Sequence, residues 1–382
     1  MLASNLCPGF LQRFFGKFFF GPLSIIMNQP TSNPHTNPML ETTANRLRAD
    51  VEEICFPEGR VTGTAGHARA EEILCRRLAE IGCRPYRGND FRLPYRHGNQ
   101  DFVNLVGIIP GTGGSSLAPV LVGAHYDSVI PAPCADDNAA AVALALEAGR
   151  AAALAPLERD LVVAIFDAEE PPHFQGATMG SINFYEQQTD GRGFHAAVVM
   201  DLVGHDVPLS PDRIGAMPGV PSSTPGLPDL RDLLFVMGAE SHPVLPTIIA
   251  STPDAEGIRV LPTLNEYVGD MSDHGIFRKN GVPYFFLSCG HWEHYHRTTD
   301  TPDRLNYKKM AAISDYLNRL LANLAATDLP RGLGMCDPLA LEIERMQAIL
   351  GPLLPSLLGR PGPLRTRGDI RDVVSKMRST GL

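Results

Sequence analysis

His125-Tyr-Asp127-Ser and, seven residues on, Ala135-Asp136-Asp137-Asn138 put one imidazole and three carboxylates within thirteen positions. A hydrophobic core has no use for that combination, because Asp, Glu and His are rarely buried without a partner. Further along stand Asp167-Ala-Glu169-Glu170, Met200-Asp201, Ser272-Asp273-His274 and a loop with His291, His294, Tyr295, His296 and Asp300. Each has a plain alternative: Asp136 or Asp137 would cap a helix, Ser272 or Asp273 likewise, and Asp201 would end a strand in a turn. Acids and histidines at four consecutive strand ends together point to a metal site, the chemistry that needs imidazole and carboxylate side by side.

The elements that must position these residues follow from the apolar runs. Pro119 to Ala124, Leu161 to Phe166, Ala197 to Met200 and Tyr284 to Ser288 are short, continuous and apolar, as buried strands are. Val103 to Ile109 adds another strand, and Asn138 to Leu154 reads as a helix. Thr43 to Ile54 and Gly66 to Ile81 have helical spacing, and Tyr307 to Ala326 reads as the closing helix. Strands alternating with helices predict an α/β fold: an open, mostly parallel twisted sheet with helices on both faces. Ligands bind outside the carboxyl ends of strands in such sheets, and the polar clusters fall there.

Domain organisation is read as an N-terminal extension and linker (1–42), a catalytic domain (43–327) and a C-terminal helix with a basic tail (328–382). Within the catalytic domain, 203–265 is rich in Pro, Gly and Ser around one amphipathic segment, Leu227 to Met237, and reads as a lid or pocket wall. The Phe-rich start has two cations, a proline and glycines inside its apolar run, so it does not read as a membrane span. Three readings fit it: a start codon placed too early, with Met27 or Met39 the true start; a weak interfacial helix; or an unusual export signal. A cytoplasmic location is the expectation, with export or membrane association through that segment as the alternative. The fold is expected not to need residues 1–38.

Composition narrows the function. The net charge of -9 gives no reason to expect a nucleic-acid partner. Seven cysteines without a Cys-x-x-Cys pair indicate neither a thiolate zinc cluster nor a disulfide framework. The Gly-rich loop Pro110-Gly-Thr-Gly-Gly-Ser-Ser lacks the Gly-Lys-Thr/Ser that would follow in a phosphate loop, so it reads as a plain connection.

In order, His125-Tyr-Asp127-Ser, Ala135-Asp136-Asp137-Asn138, Asp167-Ala-Glu169-Glu170, Met200-Asp201, Ser272-Asp273-His274-x-x-Phe277 and His296-x-x-x-Asp300-Thr301 resemble the M28 family of zinc aminopeptidases, over roughly residues 100 to 310. The resemblance implies two zinc ions per chain, about 3.5 to 4 Å apart. By that analogy His125 and Asp201 hold one ion, Glu170 and His296 the other, and Asp136 bridges them, with His294 the alternative to His296. Three carboxylates and a bridging hydroxide would then offset two divalent ions. Asp127 would orient His125, Glu169 would act as general base toward the zinc-bridging hydroxide, and Tyr295 would donate to the oxyanion. His173, His205 and His274 read as structural or pocket-lining.

The implied activity is removal of the N-terminal residue from a peptide with a free amino terminus. A single-zinc glutaminyl cyclase and a non-catalytic interaction domain are the alternatives; the complete ligand set speaks against the second. Against the cyclase stand the paired acids Asp136-Asp137, since in cyclases a non-acidic residue follows the ligand aspartate, and Tyr295 where cyclases resembling this chain carry Trp. Pro171-Pro172-His173-Phe174 and Arg297-Thr298 depart from the family pattern and alter the pocket rim.

Overall fold

The computed structural model describes residues 38–378 except 218, 219 and 221–226, so the expectations for the N-terminal extension lie outside the described residues, apart from its last few positions. Helices α1 (Pro38–Ile54) and α2 (Ala65–Ile81) come first, α1 beginning five residues before the expected Thr43. Thr64 caps α2 by accepting the backbone N–H of His67, and Gly82 ends it in the left-handed region at φ 88°.

Among the described residues, β1 (Arg84–Pro85), β2 (Arg92–His97), β3 (Gln100–Ile109), β4 (Val120–His125), β5 (Leu161–Phe166), β6 (Ala196–Met200), β7 (Leu233–Met237), β8 (Arg259–Thr263) and β9 (Tyr284–Ser288) form one sheet. Its order is β1-β3-β5-β4-β6-β9-β7-β8, with β2 paired to β3 along the same edge as β1, opposite β5. The centre, β5-β4-β6-β9, is parallel, and its strands are buried along their whole length. That is the burial expected where helices cover both faces. The flanks turn antiparallel at β3 against β5 and at β7 against β9.

Helix α3 (Ala140–Leu154) is alanine-rich and packs on β4 and β5, where Gly149 leaves room for Val163 and Ile81. Helix α4 (His274–Lys279) lies over β9 and β6, and α5 (Tyr307–Ala326) packs against α1 and α3. Beyond the sheet, α6 (Leu339–Leu350) packs on β8 and α7 (Arg367–Arg378) on α6. Residues 203–265 are therefore not one irregular lid: the stretch supplies β7 and β8, which extend the sheet. The expected C-terminal helix and tail is likewise a set of short helices whose Leu341, Met346, Ile370 and Val373 join the main core.

Candidate metal centre

Four parallel strands finish side by side, and the residues just past their ends face one another. His125 is the last residue of β4, Glu169 and Glu170 follow β5, Asp201 follows β6, and the loop after β9 carries Tyr295 and His296. The backbone is forced at these junctions. Cys134, Ala168, Leu202 and His296 all have left-handed φ, at 44°, 52°, 52° and 56°, although none is glycine. Such residues cost on the order of 1–3 kcal/mol each and collect where side chains must be aimed.

Two groups of ligand-type side chains result: His125, Asp137 and Asp201, and Asp137, Glu170 and His296, with Asp137 common to both. His125 Nε2 lies 3.5 Å from Asp137 Oδ1 and 3.7 Å from Asp201 Oδ2. His296 Nε2 lies 3.2 Å from Asp137 Oδ2 and 3.3 Å from Glu170 Oε2. These separations are close to the edge, about 3.3 Å, of a tetrahedron of ligands drawn around zinc at its usual bond lengths. Both ring nitrogens of His125, His296 Nε2, Asp137 Oδ2, Glu170 Oε1 and Asp201 Oδ1 are buried without a hydrogen-bond partner. Buried polar atoms are otherwise nearly always satisfied, so this donor set fits a pair of divalent cations.

The carboxylate common to both groups is Asp137, where Asp136 was the expected one. The chain enters α3 through a turn at Ala135–Ala139 in which Asp137 (φ -114°, ψ 82°) and Asn138 (φ -136°, ψ 36°) are not helical, so neighbouring side chains point to opposite sides. Asp136 turns away, its carboxylate accepting from the Gly204 backbone N–H at 2.6 Å and lying 2.6 Å from His205 Nδ1. Gly204 is required there, since a Cβ would sit 2.8 Å from Asp136 Oδ1. Neither aspartate makes the helix-capping bond that was the plain alternative.

The residue after this shared aspartate is Asn138, not an acid. The paired-acid argument against a cyclase therefore loses its force. His205, stacked on Trp292 with ring centres 4.7 Å apart, stands outside both groups. His274, whose Nε2 is 2.9 Å from Asn265 Oδ1, and His173, whose Nδ1 is 3.0 Å from Thr178 Oγ1, also stand outside both groups. His294 pairs with Thr299 instead of joining either group.

Around this cluster, carboxylates hold backbone. Asp127 accepts the N–H of Glu169 at 3.0 Å and of Glu170 at 3.1 Å, fixing the glutamate pair, and its Oδ1 is 3.4 Å from His125 Nδ1. Asp300 accepts the N–H groups of Asp136 and Asp137. Arg60 is fully buried and gives its guanidinium to the carbonyls of Ile54, Tyr126, Pro133 and Cys134, which ties the loop after β4 to α1. Nothing in the spacing of the sequence marked Arg60; only its burial does.

Electrostatics tell the same story. Burial lifts Glu169 well above its ordinary value, with Asp201, Asp273 and Glu170 adding to the rise against His125. Burial and then Asp137 raise Glu170 to about 8, and burial raises Asp273 to about 7. Burial would lower His125, but Glu169, Asp127, Asp137 and Asp201 outweigh it and hold the imidazole well above its usual range. So many acids pressed together resist ionising unless positive charge joins them. Asp273, expected as a helix cap, makes no capping bond and instead adds a buried carboxyl beside His125 and Asp201.

The profile of Peptidase family M28 matches residues 104–321, more than half of the chain. The chain belongs to peptidase family M28. It is 28% identical over 239 residues to the uncharacterised protein YfbL of Escherichia coli (strain K12), covering 56% of this chain and 70% of that one. Its fold is similar to that of the LapA aminopeptidase of Legionella pneumophila (TM-score 0.58, 17% identity, 79% of each chain). It is also similar to the glutaminyl cyclase of Bacteroides thetaiotaomicron (TM-score 0.54, 16% identity, 73% of this chain and 97% of that one). This M28 chain therefore carries a hydrolase family's fold, in an architecture that aminopeptidases and cyclases share. No helix among the described residues is long and apolar enough to cross a membrane.

Proposed function

We propose that this M28 protein is a two-zinc aminopeptidase, with one ion at His125, Asp137 and Asp201 and the other at Asp137, Glu170 and His296. The observation that carries the reading is Asp137, whose two carboxylate oxygens face one histidine each, His125 at 3.5 Å and His296 at 3.2 Å. Zinc, when bound, supplies a Lewis acid and lowers the pKa of water.

The chain's own residues do the rest. Glu169 belongs to neither ligand group, is buried, and sits with Oε2 3.8 Å from His125 Nε2. It takes a proton from the attacking water on its carboxylate and returns it to the amine nitrogen of the leaving peptide. Burial raises its pKa above the ordinary carboxylate value, the direction in which a carboxylate becomes a better base. Asp127 keeps the Glu169 backbone in place through its N–H. The Tyr295 ring stacks on His296 at 3.7 Å; burial first, then the surrounding acids, keep its hydroxyl protonated, so it is a donor for the developing oxyanion.

One observation favours the cyclase as a second reading: Asn138 is the residue after Asp137. Tyr295, where related cyclases carry Trp, favours the peptidase. A panel of peptides with free and acetylated amino termini, assayed with zinc present, separates them. The aminopeptidase reading expects release of the first residue from free termini alone and no ammonia from an N-terminal glutaminyl peptide. Ammonia release without peptide-bond cleavage would replace it with the cyclase, and no turnover of any peptide would favour a binding domain.

A further inference from the structure

Next to the metal centre lies a cavity of about 300 Å³, bordered by Asp201 and Tyr295. That is the low end of the range for ligand pockets, room for one large side chain and not for several residues of a peptide. Its walls are apolar. Phe235, Met237 and Leu261 come from β7 and β8, and Phe286 from β9. Two of the few large apolar side chains left in solvent among the described residues, Val268 (43% exposed) and Met271 (54% exposed), also line it. Exposed apolar groups gathered beside a pocket mark a surface that something apolar covers.

The remaining wall comes from a part of the chain beyond the residues matched by the family profile, which end at 321. Met346 of α6 and Val374 and Met377 of α7 line the cavity, and Arg378 stands at its edge. Helix α7 is held there by ties at both ends. Arg367 bonds Tyr267 Oη at 2.7 Å and pairs with the buried Glu342 of α6, while Arg378 Nη1 donates to the Tyr267 carbonyl at 2.7 Å. Arg371 adds an ion pair to Glu266 at 3.0 Å. Ile370, Val373 and Met377 are buried beneath it.

We infer that the C-terminal helix α7, from beyond the family-matched residues, is the specificity wall of the enzyme: with β7 and β8 it closes the pocket for the side chain of the substrate's first residue, and its Val374 and Met377 set the size that the pocket admits. This rests on the aminopeptidase reading and adds to it the element that limits the first side chain. Asp201 and Tyr295 join the pocket to the scissile bond, so filling the pocket must cost substrates with large first residues and spare those with small ones.

The test compares alanyl, leucyl and phenylalanyl p-nitroanilides on the zinc-loaded full-length protein and its Val374→Trp and Met377→Ala variants. Wild type is expected to prefer leucyl or phenylalanyl over alanyl. Val374→Trp should lower kcat/KM for both large substrates by about tenfold or more relative to alanyl, within what an apolar pocket discriminates, with zinc content unchanged. Met377→Ala, which enlarges the cavity and is the check if the Trp variant does not fold, should shift preference from leucyl toward phenylalanyl. Leucyl-to-alanyl ratios that stay within about twofold of wild type in both variants would overturn the inference while leaving the aminopeptidase standing. A wild type that turns over none of the three, and releases no residue from free-terminus peptides, would remove the reading beneath it as well.

Discussion

The carboxylate of Asp300 accepts the backbone N–H of Asp137 at 3.1 Å, and that of Asp136 at 2.9 Å, across 163 and 164 residues of chain. The loop that brings His296 is thereby locked to the loop that brings the shared aspartate. Burial raises Asp300 to about 7, and its two backbone donors pull the other way, so the carboxyl is held for what it binds. Removing it leaves both N–H groups without a partner.

Asp300→Ala is therefore expected to weaken zinc binding tenfold or more, as loss of a group that supports a metal ligand does. Competition with a chelator of known affinity measures this. An unchanged affinity would mean that Asp137 needs no such anchor.

Glu169→Ala should keep its zinc and its fold and lose about a hundredfold or more in turnover, the usual contribution of a general base. Glu170→Ala should instead lose metal. Stopped assays and elemental analysis on the two variants read the difference; a Glu169→Ala enzyme that turns over at the wild-type rate removes the assignment.

His274 supplies a pH dependence away from the ligands. Burial lowers it from 6.5 to about 4, and it lies flat against Phe286 with ring centres 4.1 Å apart. Its folded pKa is below the unfolded one, so the unfolded chain binds more protons between pH 6.5 and 4. Its share of stability is whole above 6.5 and is lost as pH falls through 4, on the order of 3 kcal/mol in all. Melting curves at pH 7 and 4.5 should show a smaller acid loss in His274→Gln than in wild type; equal losses would mean His274 does not titrate with unfolding.

Much of this was legible in the chain itself. β4, β5 and β9 announce themselves as apolar runs, and each ends in the residues that matter, because parallel strands buried on both faces leave polar groups nowhere but their ends. β7 and β8 were not legible. Leu233–Met237 is a short apolar run that spacing alone does not assign, and Pro262 argues against a strand until one sees that β8 lies at the sheet's edge, where proline is tolerated. The choice between Asp136 and Asp137 was beyond spacing too. The backbone leaves the helical region at Asp137 (φ -114°), so one carboxylate faces the histidines and the other is left to Gly204 and His205.

That choice is the centre of the account. Elemental analysis of zinc per chain in wild type, Asp136→Asn and Asp137→Asn tests it most directly. Two zincs in wild type, two in Asp136→Asn and a clear loss in Asp137→Asn are the predicted values. One zinc in wild type, or metal lost from Asp136→Asn and kept by Asp137→Asn, would contradict a paired centre built on Asp137.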